Sequence, residues 1–209
     1  LFTLNITSFS IFIIVLEFFD LHPNISDKII IDENNWILYI FSCEIKNKKD
    51  GGGTHELTKL LDKISEDIDS GKYKDKIIIG IYDNDSSGYQ EFNGLKESEY
   101  QIFKQGVVKK HKTKNIYAII IPIPTGMEIY NQRKQEFKFF EIEHYFPVSF
   151  LEENNMLTEL DINGIFEITG NKADFADKIK VLNEPEIFKI FENLFFVIDE
   201  INNESINYF

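Results

Sequence analysis

Ile77-Ile78-Ile79-Gly80-Ile81-Tyr82-Asp83-Asn84-Asp85-Ser86-Ser87-Gly88 is a run of apolar, mostly β-branched residues that stops at two carboxylates flanking one residue. The apolar part reads as a buried strand. Past its last paired residue, Asp83 and Asp85 can project toward one side of the strand's C-terminal edge, where open α/β sheets place their ligands. Ser86 or Ser87 can cap a helix that starts near Gly88. Two hard oxygen ligands at a strand end suit Mg²⁺ or Mn²⁺. The same spacing also serves as plain turn chemistry, because Asp and Asn favour turns and caps.

Outward from this stretch, Phe9 to Leu16 reads as a first strand with Glu17 at its end, Trp36 to Ser42 as a second, and Ile116 to Ile123 as another that Pro122 and Pro124 terminate. The pattern from His22 to Asn35 is irregular. Leu57, Leu60, Leu61, Ile64 and Ile68 recur at helical spacing behind Thr54, and Gly71 ends that helix. Gly51-Gly52-Gly53 ahead of it could cradle a phosphate through backbone amides, but no Walker-type Lys-Ser/Thr follows, so a connector is the favoured reading. A loosely amphipathic helix is expected from about Gly88 to Gln105. Continuous apolar strands separated by helices argue for a parallel sheet buried on both faces.

With 209 residues, 43% of them hydrophobic and 27% charged, the chain has the size and balance of one sizeable α/β domain. Its twenty Phe supply much of the core volume, and Arg133 is the single arginine. A net charge of -13 repels polyanions at long range, so contact with nucleic acid has to be local or metal-bridged, or come from a partner. Cys43 stands alone, which excludes an intrachain disulfide and fits a reducing cytoplasm. The apolar run from Ile11 to Phe19 is too short to span a bilayer and lacks a basic leader, so no membrane association is expected. A first residue of Leu rather than Met suggests a piece of a longer reading frame.

One basic cluster stands out on this acidic chain: Lys104, Lys109, Lys110, His111, Lys112 and Lys114. It reads either as a solvated loop or as a contact to a phosphate backbone through Lys109, Lys110, Lys112 and Lys114. Further on, the segment Glu136 to Phe146 alternates carboxylates with aromatics. If it is extended, Glu141 and Glu143 share a face, and carboxylates in such company are costly to desolvate unless paired or on a metal. His144 reads as a surface or hydrogen-bonded histidine, with a substrate contact as the alternative. Gly164 to Thr169 is a short strand, a helix begins at Lys172, and Pro185 opens a last helix with a wide apolar stripe.

Ile78 to Gly88, with Asp83-Asn84-Asp85 at its centre, resembles the Asp-x-Asp motif of Toprim domains, the metal-binding cores of topoisomerases, primases and several nucleases. Asn115-Ile116-Tyr117 leading into Ile121-Pro122, then Ile142-Glu143-His144-Tyr145-Phe146-Pro147, and Lys172 near Phe175-Ala176 are similar in order to the Toprim half of OLD-family ATP-dependent endonucleases. The likeness covers roughly residues 50–180. It implies a Rossmann-like Toprim fold; with the strand and helix pattern, the expectation is a mostly parallel central sheet flanked by helices, residues 1–180 forming the α/β domain and 181–209 a small helical C-terminal extension packed on it.

The resemblance further implies that Asp83, Asp85 and Glu143, with Glu141 as understudy, hold Mg²⁺ or Mn²⁺, and that Lys172 steadies the scissile phosphate. Glu17 is the candidate for the acidic residue that Toprim domains carry after strand one, although Phe18 follows where the family has Gly. The expected activity is metal-dependent phosphodiester cleavage, with DNA favoured over RNA and an ATPase domain in cis or in trans as partner. Self-association is compatible with it. A non-catalytic, degenerate Toprim-like interaction or regulatory module is the second reading. A metal-dependent phosphatase is the third, weakened because no downstream Gly-Asp-x-x-x-Asp motif follows.

Overall fold

In the computed structural model, residues 12–17, 28–31 and 36–42 are described as backbone, and 54–73, 76–132, 139–158, 164–180 and 184–206 more fully. Cys43 and Gly51 to Gly53 lie outside the described residues. The chain groups into two compact units, one of Ser10–Tyr82 with Gly88–Ile120 and one containing Asp83–Ser87 with Ile121–Phe209.

The first unit is built on a seven-stranded sheet. Its strands are β1 (Phe12–Glu17), β2 (Lys28–Ile31), β3 (Trp36–Ser42), β4 (Ile77–Tyr82), β6 (Tyr100–Lys104), β7 (Val108–His111) and β8 (Ile116–Ile120), in the order β2-β3-β1-β4-β8-β7-β6. β4 runs parallel to β8, with Gly80 beside Ala118. Every other ladder of this sheet is antiparallel. The fold is therefore α/β with a mixed sheet, not the mostly parallel one expected. All of Ile77 to Tyr82 and Ile116 to Ile120 are buried, which explains the unbroken apolar runs. Burial on both faces does not depend on the direction of the neighbouring strands, and that is why the sequence pattern misled.

Two connections set the antiparallel half. Residues 105–107 turn β6 into β7 with Gly106 at φ 70°, a conformation glycine adopts without strain. Only 112–115 separate β7 from β8, too few for a parallel crossover. The expected helix to Gln105 instead ends early: α2 spans Ser86–Gly94, and the loose amphipathicity beyond it belongs to the hairpin.

Helix α1 (Thr54–Asp69) covers one face of the sheet. Leu57 and Leu61 pack with Ile78, Tyr82, Ile116, Ala118 and Ile120, and Phe92 of α2 and Leu95 extend the cluster. Gly80 and Ala118, paired in register, are the small residues of that face. A Cβ on Gly80 would stand 2.8 Å from Leu61 Cδ1 and 3.4 Å from Leu57 Cδ1, so the helix seats over a position with no side chain.

The second unit holds the two-stranded ladder β5 (Asn84–Asp85) with β9 (Phe139–Phe140), α3 (Val148–Glu153), α4 (Lys172–Lys180) and α5 (Glu192–Ile206). Short 3₁₀ segments occupy Glu128–Gln132, Ile142–Tyr145 and Pro185–Phe191. The strand expected at Gly164 to Thr169 reduces to one bridge, Ile168 with Leu157. Leu194, Val197, Ile198 and Ile201 of α5 are buried, as the apolar stripe required. Phe146 meets Phe175 and Phe191 edge-on with ring centres 5.2 and 5.1 Å apart, which ties α4 and the 3₁₀ segment before α5 to the segment after β9. Among the described residues no helix is long and apolar enough to cross a membrane.

Replacing Gly80 with Val should lower the unfolding free energy by roughly 1–3 kcal/mol in urea melts, because Leu61 and the helix must shift to admit the branch. A Gly80→Val variant as stable as the parent would contradict this packing.

Candidate functional site

Asp83 is the first residue after β4, and the chain does not wander from there. Asn84 and Asp85 pair antiparallel with Phe140 and Phe139, so the two-residue ladder sets the Asp-x-Asp segment beside the Glu141 segment. The Ile142 N–H donates to Asp83 Oδ1 at 3.0 Å, closing the junction one step beyond the ladder. Asn84 Nδ2 donates to the Ile121 carbonyl at 3.2 Å, and the Tyr145 hydroxyl donates to the Pro122 carbonyl at 2.6 Å. Pro122 has no N–H to continue a ladder, and at this exit from β8 the Ile121 and Pro122 carbonyls accept from side chains instead.

Lys172, the first residue of α4, brings the positive charge. Its Nζ lies 2.5 Å from Glu141 Oε2 and 3.3 Å from Glu143 Oε1. Asn171 starts the helix, its Oδ1 accepting from the Asp174 N–H at 3.3 Å. Glu143 is fully buried, and neither of its carboxylate oxygens has a well-formed hydrogen bond; the Lys172 contact is an ion pair at the long end. An ionised carboxylate in that condition is expensive.

The proton affinities follow. Burial, opposed by Lys172 and reinforced by Glu141, pushes the Glu143 carboxyl up to about 7. Burial is also the main cause that raises Asp83 well above the usual carboxylate range, with the charges of Glu143, Glu141 and Asp85 adding and that of Lys172 opposing. Asp83 keeps some open surface as a residue, yet its carboxyl is enclosed by protein, and the enclosure of the carboxyl governs its proton. For Lys172, burial alone would lower the ammonium, but Glu143, Glu141 and Asp83 outweigh it and hold it above its ordinary value. Three carboxyl groups, with Asp85 next to Asp83, thus share one lysine.

His144 is a structural member of this site. The Glu141 N–H donates to its Nδ1 at 3.0 Å, which leaves the proton on Nε2 to donate to the Phe166 carbonyl at 3.2 Å. Its ring stacks on Phe166 at 4.8 Å and lies tilted on Phe140 at 4.9 Å, with Tyr130 edge-on. Burial pulls its pKa down to about 4, so it is a neutral wedge that fixes Glu141 and Glu143 in their 3₁₀ turn. That turn, not an extended strand, is what places the two glutamates around Lys172. Asn84, Tyr145 and the neutral role of His144 were not singled out from sequence; the Tyr and His in Ile142-Glu143-His144-Tyr145 were the available signal.

No family model matches this chain, and neither a curated protein nor a solved structure matches it.

The other expected residues belong to the first unit. Leu16 pairs with Ile77, so Glu17 sits at the end of β4 where the strand begins, five residues or roughly 17 Å of strand from Tyr82. Because β1 is antiparallel to β4, the shared C-terminal edge implied for Glu17 does not form. The lysine cluster is engaged internally: Lys109 Nζ bonds the Phe92 and Asn93 carbonyls at 2.9 and 3.2 Å, closing the C-terminus of α2. Lys114 bonds the Ser65 carbonyl and Asp69 near the end of α1, Lys112 bonds the Glu97 carbonyl, and Lys110 lies over the Tyr117 ring. Cations at helix C-termini are stabilising there, so these side chains have a folding role that the sequence pattern does not distinguish from phosphate binding. Among the described residues, no three His, Cys, Asp or Glu side chains are disposed to enclose a metal ion.

The donor chemistry nonetheless suits a divalent cation. Glu143 offers two buried oxygens without hydrogen bonds, beside further carboxylates whose mutual repulsion one ammonium does not neutralise.

The raised carboxyl of Glu143 sets a pH dependence. Its folded pKa of about 7 exceeds the ordinary 4.5, so its contribution to stability is complete below pH 4.5 and is lost as pH rises through 7. In chelator, the melting temperature should fall between roughly pH 5 and 8, the loss from this group amounting to about 3 kcal/mol at most. Glu143→Gln should flatten that slope and be at least as stable as the parent at about pH 8. An E143Q variant that keeps the parent's slope would refute the assignment.

Proposed function

We propose that this chain is a metal-dependent nuclease domain that cleaves phosphodiester bonds, with the acidic site of the second unit as its reaction centre. The observation that carries this reading is the convergence of Asp83, Asp85, Glu141, Glu143 and Lys172 from separate segments around a buried carboxylate that lacks hydrogen bonds. Structural ion pairs have no need of an excess of buried negative charge, whereas a cation site does. The resemblance to Toprim domains of the OLD type concerns the same residues.

In this reading Asp83, Asp85 and Glu143, with Glu141 in support, hold Mg²⁺ or Mn²⁺. A divalent ion held there supplies Lewis-acid polarisation of the phosphoryl group and a more acidic attacking water. The chain's own residues do the rest. The Ile142 N–H and the β5–β9 ladder orient Asp83, the His144 wedge sets the glutamates, and Lys172 offsets the charge that develops on the phosphoryl oxygens. The burial of Glu143 strengthens each of these interactions. Carboxylates that held a cation would be screened from the substrate, and in this way an acidic protein could act on a polyanion. DNA is the proposed substrate, and an ATPase module in the same polypeptide or in trans is the proposed partner.

The second reading, a degenerate module that binds a partner without catalysis, is favoured by one observation: Glu17 lies by the start of β4 instead of its end. The two readings separate on a plasmid. With Mg²⁺ or Mn²⁺ the purified protein should convert supercoiled DNA to the nicked form, and Asp83→Asn should reduce this to background. Nicking that survives in D83N, or no nicking by the parent with either ion, would remove the nuclease proposal.

A further inference from the structure

We propose that Lys172 is the resident cation of the metal-free site, a latch that a divalent ion must displace from Glu141 and Glu143, so that loading the ion is what releases the lysine toward substrate. This inference rests on the nuclease reading's metal site but adds its regulation. Lys172 Nζ touches both glutamates, at 2.5 and 3.3 Å, and so stands on the oxygens a cation would need. The Glu143 oxygens hold no well-formed hydrogen bond, so an ion that takes them displaces only the Lys172 ammonium, whose bond to Glu141 Oε2 is the one that breaks. The lysine is also the first residue of α4, whose first turn is held around it by Asn171, the side chain accepting from the Asp174 N–H and the carbonyl from the Phe175 N–H at 3.0 Å. Its side chain can therefore swing without unfolding the helix. About a third of it is exposed, which provides the way out.

The latch makes metal affinity and lysine availability opposite sides of one equilibrium. Without the ion, the ammonium neutralises part of the acidic site and keeps it folded. With the ion, repulsion drives the ammonium off the glutamates, and the freed charge is available to an anion.

Two measurements test this on the whole chain. In the first, acylation of lysines is followed by peptide mass spectrometry with and without Mg²⁺. Lys172 should be protected in chelator and label several-fold faster with the ion, while exposed Lys72 and Lys96 stay constant. In the second, Mn²⁺ binding is measured by calorimetry for the parent, Lys172→Met and Lys172→Arg. K172M should bind at least about tenfold more tightly and melt lower in chelator, and K172R should bind as the parent does. K172Q replaces K172M if the latter fails to fold. Binding by K172M alone, with none by the parent, supports a tight latch. If the parent binds Mn²⁺ but neither labelling nor affinity moves in the expected direction, the latch is overturned and the metal site stands. If no variant binds Mn²⁺, the metal site itself falls and the latch with it.

Discussion

The carboxyl group of Glu143, shut away from water with an ammonium 3.3 Å from one oxygen, is the constraint on which the second unit turns. A buried charge in that position is tolerated only if something else fixes its counter-charge in place. Here the fixing is distributed. Asn171 starts the helix that carries Lys172, the neutral His144 ring locks the turn that carries both glutamates, and the Ile142 amide draws in Asp83. Remove any one of these and an acidic group loses its orientation while keeping its charge.

This arrangement joins residues that are far apart in the chain with very little regular structure. A ladder of two residues on each side, β5 with β9, spans more than fifty positions of sequence. It is sufficient because it is flanked by directional bonds: Asn84 to the Ile121 carbonyl, Tyr145 to the Pro122 carbonyl, and Ile142 to Asp83. Phe140 serves both purposes, pairing with Asn84 through its backbone and lying against His144 through its ring. The site is thus assembled on irregular backbone, and an aromatic cluster gives that backbone its rigidity.

How much of this was legible in the residues differs by kind of information. The strand Ile77 to Tyr82, the helix behind Thr54 and the break at Asp83 follow from local periodicity and turn chemistry, and all three are present. Asp83, Glu141, Glu143 and Lys172 do meet, which the order of motifs anticipated. Strand direction was not legible, because a run such as Ile116 to Ile120 looks the same beside parallel or antiparallel neighbours. The same limit misplaced Glu17, whose position depends on the direction of β1. Lys109 and Lys114 read as a basic patch because composition records charge, whereas their partners are carbonyls at the ends of α2 and α1, and those are known only once the helices end where they do.

The most direct measurement is a double-mutant cycle on Glu143 and Lys172, scored by urea unfolding in chelator at about pH 8, where Glu143 is largely ionised. The account predicts that Glu143→Gln and Lys172→Met are coupled favourably by at least about 1 kcal/mol, the double variant losing less than the sum of the singles. Additivity within about 0.5 kcal/mol would mean that the two groups do not depend on each other, and the site as described would not exist.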